Sequence, residues 1–148
     1  MIAATQSPRF SRYSLDFLPV DTFLVLDQRK YIVSLLDENT CMPVAQERLT
    51  GEEIIILSEL LGHYPYFCPY EALYSVCFNV PVDEARETLQ AAYGTPDWQY
   101  LMHPLQNNAS RARAKLRPLG IEIKSMIDTG YMLSPVSGFH QRNERTER

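Results

Sequence analysis

The segment Thr50-Gly-Glu-Glu-Ile-Ile-Ile-Leu-Ser-Glu-Leu-Leu61 predicts the best-defined helix of the chain. Its start has the pattern of a capping box, in which the Thr50 hydroxyl accepts a hydrogen bond from the N–H of Glu53 and the Glu53 carboxylate accepts one from the N–H of Thr50. Ile55 and Ile56 widen the apolar stripe that follows, which indicates a helix buried on more than one side. The stripe itself has helical spacing and consists of Ile54, Leu57, Leu60 and Leu61.

The residues before this helix predict a small antiparallel sheet between positions 22 and 44. Two runs, 23–27 and 30–36, are rich in β-branched, aromatic and other apolar residues. Asp37-Glu-Asn-Thr40 follows the second run and has the composition of a turn. Residues 1–20 are mixed and polar, and we expect them to form an irregular arm.

Three further helices are predicted after Gly62, which should end the first one. The second begins at Pro69, because proline is favoured at the first helical position. The third spans Val82–Tyr93, with acidic residues in its first turn. The fourth spans Pro104–Leu116, where Pro104 would leave free backbone N–H groups for a phosphate.

A β-hairpin is predicted at the end of the chain, where residues 121–127 and 131–133 lie on either side of the turn Asp128-Thr-Gly130. The order of strands, helices and terminal hairpin is that of an α+β winged helix-turn-helix domain, in which the hairpin is the wing. We therefore divide the chain into an arm, a winged-helix domain with an inserted helix, and a disordered tail: residues 1–20, 21–134 (insertion about 80–102) and 135–148.

The composition excludes several classes of protein. Of the 148 residues, 45% are hydrophobic, enough to bury a core. No apolar run approaches the roughly 20 residues needed to cross a bilayer, and no signal-peptide block is visible, so we expect a cytoplasmic protein with no membrane partner. Cys41, Cys68 and Cys77 are odd in number and have no ligand-like spacing. We therefore expect no disulfide framework, no metal, no cofactor and no enzymatic activity.

The charges are segregated along the chain, although the formal net charge is only -4. Residues 37–59 contain six acids and one base, whereas residues 106–124 contain five bases and one acid. A locally basic region of this kind is what a phosphate backbone attracts, even on an acidic protein.

The fourth predicted helix has two chemically different sides. At about 100° per residue, one side carries Leu105, Ala109, Ala112 and Leu116. On the other side Arg111 could contact guanine and Asn107 adenine, while the flanking bases would bind phosphates. A charged helix face can equally be solvated and have no ligand. The candidate DNA-binding residues are Gln106, Asn107, Asn108, Ser110, Arg111, Arg113, Lys115, Arg117, Lys124 and Thr129.

Four segments in the right order resemble the winged-helix domains of OmpR/PhoB-type bacterial response regulators. Leu49–Leu61 is similar to the "LT..E..LL..L" helix of that family, and Cys68-Pro-Tyr-Glu-Ala-Leu73 to its "S-R-E-E-L" helix, with Cys68 at the usual serine cap. Residues 108–123 are similar to its recognition helix and first wing strand. Asp128-Thr-Gly-Tyr-Met-Leu133 resembles its wing signature "G.GY.L".

The resemblance implies a bacterial transcription regulator that binds double-stranded DNA as a dimer and contacts RNA polymerase. Its recognition helix would lie in the major groove and its wing near the minor groove. The sequence departs from the family in three ways. About 20 residues precede the domain, so we expect no phospho-receiver control. The 82–93 helix is an addition, and Ile127 and Asp128 stand where relatives often have arginine and glycine.

A second hypothesis is a protein-interaction module, such as an adaptor or an anti-regulator. The acidic net charge, the atypical wing and the dense aromatic residues favour it, because tyrosine and tryptophan are frequent at interfaces. These aromatic residues could equally pack the inserted helix onto the core. The candidate partner-binding residues are Tyr93, Trp98 and Tyr100.

Overall fold

Two antiparallel sheets and four α-helices make up residues 10–137, the part of the chain that the computed structural model describes. The fold is therefore mixed α+β. The first sheet has the order β1-β2-β3-β4 and consists of Phe10–Tyr13, Thr22–Asp27, Ile32–Asp37 and Pro43–Arg48. The helices α1 to α4 are Gly51–His63, Tyr70–Phe78, Val82–Ala92 and Pro96–Leu116. A 3-10 turn, Arg117–Leu119, follows α4.

The second sheet has three strands in the order β5-β7-β6. The strands β6 (Ile121–Met126) and β7 (Gly130–Pro135) form the predicted hairpin. The short strand β5 (Cys68–Pro69) lies between α1 and α2 in the chain and pairs with β7. Gly130 permits this pairing, since a Cβ atom at that position would lie 1.9 Å from the carbonyl oxygen of Cys68. The hairpin is thus fastened to the loop between the first two helices.

One hydrophobic core joins the first sheet, the helices and the hairpin. From the sheet it includes Leu24, Leu26, Val33 and Leu35. From α1 it includes the predicted stripe of Ile54, Leu57, Leu60 and Leu61. Ile56 is also buried, but Ile55 is 41% exposed, so the expected burial on more than one side holds for only one of these two residues. No helix of the described residues has the length and apolar character needed to span a membrane.

The predicted capping box of α1 is confirmed, and it has a second role. The Glu53 carboxylate is fully buried and accepts from the N–H of Thr50 at 2.9 Å through Oε1. The same oxygen accepts from the Lys115 ammonium on α4 at 2.6 Å. Within residues 10–137 the other oxygen, Oε2, has no hydrogen-bond partner. The capping residue of α1 therefore fixes this helix to α4.

The expected irregular arm is wrong for its last part, because Phe10–Tyr13 is an edge strand paired with β2. The Arg12 guanidinium lies 3.8 Å from the ring centroid of Phe23, a contact that fixes this strand and that no local pattern reveals. Residues 1–9 and 138–148 lie outside the described residues. The expected start of the tail is also corrected, since Pro135 ends β7 and pairs with Ile121.

The boundaries of two helices differ from those predicted. Pro69 caps α2 and belongs to β5 together with Cys68, so Cys68 is not the cap that the resemblance implied. The fourth helix begins at Pro96, eight residues before the predicted Pro104. The Thr95 side chain caps it by accepting from the N–H of Asp97 at 3.2 Å.

Pro104 is consequently inside α4. It has no N–H to donate to the carbonyl of Tyr100 one turn earlier. Both residues are exposed, so water can bind that carbonyl, and the helix continues through the proline. The predicted insertion, about 80–102, is therefore not separate from the basic helix, because its last residues form the first turns of α4.

Replacing Gly130 with alanine should lower the free energy of unfolding by about 1–3 kcal/mol, because the new methyl group meets backbone atoms of β5. Urea denaturation measures the change. Gly62→Ala is the control: this helical position has no neighbouring atom within 4 Å, so the substitution should stabilise the protein by about 0.5–1 kcal/mol. Equal stability of the two variants would contradict the close approach at Gly130.

Replacing Lys115 with methionine should destabilise the protein by about 3 kcal/mol, at the low end for a broken buried ion pair because the lysine is partly exposed. The buried Glu53 charge would keep only its bond to Thr50. Lys124→Met is the control, since Lys124 is exposed on β6. Similar denaturation midpoints for the two variants would show that Lys115 has no such structural role.

Candidate nucleic-acid interface

The two sides of α4 are arranged as the sequence predicts. Leu105, Ala109, Ala112 and Leu116 are all buried against the core. The opposite side is exposed and carries Gln106, Asn107, Ser110, Arg111 and Ala114. The helix thus presents a continuous polar surface next to the hairpin, which we call the α4 polar face.

Two arginines at the edge of the α4 polar face share one carboxylate of the hairpin. Arg113 donates to Glu122 on β6 through Nε at 2.6 Å and through Nη2 at 3.4 Å. Arg117 lies near Oε2 of Glu122, the oxygen that also accepts from Nη2 of Arg113, with 3.6 Å between Nη1 and Oε2. Hydrogen bonding to Glu122 raises the pKa of Arg113, so its charge is secure. Glu122 therefore fastens α4 to the hairpin and neutralises part of the basic edge.

The two arginines remain available to a ligand despite this contact. Their side chains are 48% and 52% exposed, whereas Glu122 is 15% exposed. A guanidinium has five N–H donors, of which Arg113 directs two at Glu122. The remaining donors are held in a fixed orientation, which reduces the entropy lost when they bind an anion.

Lys115 is placed differently from the expectation. Its ammonium is held by the buried Glu53, so it belongs to the contact between α1 and α4. The predicted phosphate site at the N–H groups of Pro104 is also wrong, because those groups lie within the continuous helix. The Lys115 ammonium therefore serves the contact with Glu53 and is not counted among the groups that could bind a phosphate.

Arg111 and Lys124 are the unpaired bases of this surface. Both are exposed, and neither forms an ion pair with any residue from 10 to 137. Arg111 lies on the α4 polar face, and Lys124 lies on β6, whose Glu122 holds the edge of that helix. The structure therefore leaves one free positive charge on the helix and one on the hairpin.

The remaining predicted DNA-binding residues make local contacts. The amide nitrogen of Asn107 lies 3.0 Å from Nε2 of His103, one turn earlier on α4. Thr129, in the hairpin turn, donates its hydroxyl to the carbonyl of Ile127 at 2.8 Å. Asn108 is only partly exposed, beside the buried Ala109. The histidine contact leaves Asn107 a second amide N–H and its carbonyl oxygen, and Gln106 and Ser110 are exposed.

The three predicted partner-binding residues do not form one free surface. The Trp98 ring packs edge-on against Tyr93, with centroids 5.1 Å apart, and against Tyr70 at 5.9 Å. The Tyr93 hydroxyl donates to Asp128 at 2.8 Å, across a cavity of about 220 Å³ between α3 and the hairpin turn. These contacts hold the turn. Tyr100, by contrast, is 82% exposed.

A second group of side chains lies outside the α4 polar face. The ligand-type atoms of Glu59, His63 and Cys68 all lie within 4.8 Å of one another. The spacing of the cysteines could not indicate this group, because it contains a single cysteine and its members come from α1 and β5. Burial raises the pKa of the Cys68 thiol to about 12, with a further contribution from the Glu59 charge, so this thiol is not an activated nucleophile.

Sequence reasoning missed Glu122 and Glu53 as partners of the basic residues. Glu53 had a visible signal as a capping residue, but its contact with Lys115 spans 62 positions and has no local pattern. Glu122 follows Arg113 by nine positions across the turn between α4 and β6.

Comparison of the chain with protein-family models, with curated proteins and with solved structures found no match.

Proposed function

We propose that the chain is a winged-helix protein that binds double-stranded DNA through the α4 polar face, as a transcription regulator. The hairpin β6–β7 is the wing in this proposal. The observation that carries it is the exposed side of α4, where polar side chains surround the unpaired Arg111 and the hairpin lies alongside.

The topology supports this proposal. A four-stranded sheet precedes the helices, and a hairpin follows the most basic one. In winged-helix domains the helix before the hairpin enters the major groove, and its polar side chains contact base edges. In this chain α4 is the helix before the hairpin, and its exposed residues Gln106, Ser110 and Arg111 point away from the core.

The charges also support it, although less strongly than the sequence suggested. Arg111 and Lys124 supply unpaired positive charges on the helix and on the hairpin. Arg113 and Arg117 add half-exposed guanidiniums whose single counter-charge is Glu122. Cationic side chains bind the phosphates and orient the protein on the duplex. Since the surface offers only these four basic residues, we expect the binding energy to depend on a few phosphate contacts. Asp128 in the hairpin turn opposes phosphate, and the wing contact is therefore the weak part of the proposed interface.

The experiment is selection of binding sites from a randomised duplex pool at low salt, followed by affinity measurement on the selected duplex. The affinity should fall steeply with salt, because each neutralised phosphate releases counterions. Arg111→Gln should weaken binding on the order of tenfold, the loss expected for one bidentate base contact.

The matched control is Arg29→Gln, which removes the same charge from the exposed turn between β2 and β3. Its affinity should stay within about twofold of the parent protein, since that turn belongs to the other sheet. Equal affinity of the two variants, with both folded by circular dichroism, would remove α4 from the interface.

The second candidate function is a protein-interaction module. The specific observation in its favour is the exposure of Tyr100 and Ile127, which are 82% and 89% exposed. A protein partner that covered these side chains would remove apolar surface from water, which favours association. The duplex selection separates the two proposals: if the folded chain retains no duplex at low salt, the interaction module is favoured.

A further inference from the structure

Three side chains with different ligand atoms meet beside the core, away from the α4 polar face. Glu59 and His63 are one turn apart in the last part of α1, and Cys68 is the first residue of β5. A carboxylate oxygen of Glu59 lies 3.1 Å from Nε2 of His63. The Cys68 sulfur completes a group in which no two ligand atoms are more than 4.8 Å apart.

The chemistry of this group selects a class of ion. Calcium and magnesium prefer oxygen ligands, whereas a thiolate, an imidazole and a carboxylate together suit zinc and similar divalent ions. We propose that Glu59, His63 and Cys68 form a binding site for a divalent transition metal ion of the zinc type.

The geometry requires little rearrangement. Zinc binds sulfur at about 2.3 Å and nitrogen or oxygen at about 2.0–2.2 Å, so the ligand atoms of a tetrahedral site are roughly 3.3–3.8 Å apart. The separation between Glu59 and His63 is slightly shorter than this, at 3.1 Å. Separations within the group extend to no more than 4.8 Å, up to about 1 Å longer than a tetrahedral site needs. The partly exposed side chains of Glu59 and His63 would therefore rotate apart from each other and toward the buried sulfur to admit the ion, which would replace their direct hydrogen bond.

The burial of the three ligands gives the site an inner and an outer side. Cys68 is fully buried, and the one hydrogen bond that its sulfur forms with residues 10–137 is weak, to the carbonyl of Pro69 at 3.8 Å. The side chains of Glu59 and His63 are 28% and 34% exposed. An ion could enter from solvent on their side, displace the thiol proton, and keep one coordination position for water.

An ion bound here would connect three elements. Two ligands lie at the end of α1, and the third lies on β5, which pairs with β7 of the hairpin. Four residues separate His63 from Cys68, so the ion would close this short loop. Metal binding should therefore stabilise the attachment of the hairpin to α1, independently of any DNA contact.

The test is titration of the reduced, metal-free full chain with Co²⁺, which replaces zinc and reports sulfur ligation through a thiolate-to-cobalt charge-transfer band in the near ultraviolet. We expect a single cobalt ion per chain and loss of the band when zinc is added. The variants His63→Gln, Glu59→Gln and Cys68→Ser should weaken binding by at least about 10–100-fold, since this is the loss caused even by changing a residue that only hydrogen-bonds to a metal ligand.

Two controls distinguish this site from unspecific binding. Cys41→Ser removes an exposed thiol in the turn before β4, and His103→Gln removes an exposed imidazole on α4. Both should retain the parent affinity and the band. Because Cys68→Ser alters the core, His63→Gln at its partly exposed position is the decisive variant, provided that its circular dichroism spectrum is native.

Thermal unfolding supplies a readout independent of absorbance. Zinc at about 100 times its Kd should raise the Tm by on the order of 5–10 °C in the parent chain and not in His63→Gln. The proposal is overturned if cobalt produces no thiolate band at saturation. It is equally overturned if the band survives Cys68→Ser and disappears in Cys41→Ser.

Discussion

The buried carboxylate of Glu53 is the contact on which the arrangement of the helices depends. It completes the N-terminal cap of α1 and, through the same oxygen, receives the ammonium of Lys115. A charged group in the interior is tolerated only where such partners compensate for its lost hydration. Because the two partners belong to different elements, the buried charge of Glu53 has both of them only when α4 is in place, and this ion pair acts together with the buried apolar side of α4 to set the rotation of that helix. The exposed side of α4 is polar and arginine-bearing as a result.

The hairpin is positioned by contacts of three kinds. Gly130 allows β7 to approach the backbone of β5, Glu122 holds the arginines of α4, and Asp128 accepts from Tyr93. The first is steric, the second is a charged pair, and the third is a single hydrogen bond beside a cavity. The turn end of the hairpin is held by the close approach at Gly130, by the backbone hydrogen bond from the Tyr70 N–H to the Thr129 carbonyl at 2.9 Å, and by the exposed contact of Asp128 with Tyr93. The Glu122 ion pairs hold β6 farther from the turn. The ion pairs of Glu122 with Arg113 and Arg117 attach the hairpin to α4 and also neutralise positive charge that would otherwise attract a nucleic acid. The same carboxylate therefore orders the surface and weakens its attraction for phosphate.

Local patterns predicted most of the architecture but not the contacts between distant elements. The capping box, the apolar stripe of α1, the two sides of α4 and the hairpin all follow from periodicity and turn chemistry. The strand Phe10–Tyr13 was missed because its pairing with β2 is a tertiary contact. The start of α4 was wrongly predicted at Pro104. This proline lies inside the helix on its exposed side, where a proline does not necessarily end a helix. The partners of Lys115 and Arg113 could not be read from the sequence, and neither could the meeting of Cys68 with His63.

Pro104 has a mechanical consequence for α4. The carbonyl of Tyr100 lacks its backbone donor, so the helix has one fewer longitudinal bond at this turn than elsewhere. Bending stiffness is lowest at such a point, and kinks in helices concentrate there. The N-terminal part of α4 packs beside α3, whereas Arg113 and Arg117 bind the other part to the hairpin. A displacement of α3 would therefore be absorbed near Pro104 as a change of angle between the two parts, and the arginine-bearing part would keep its orientation.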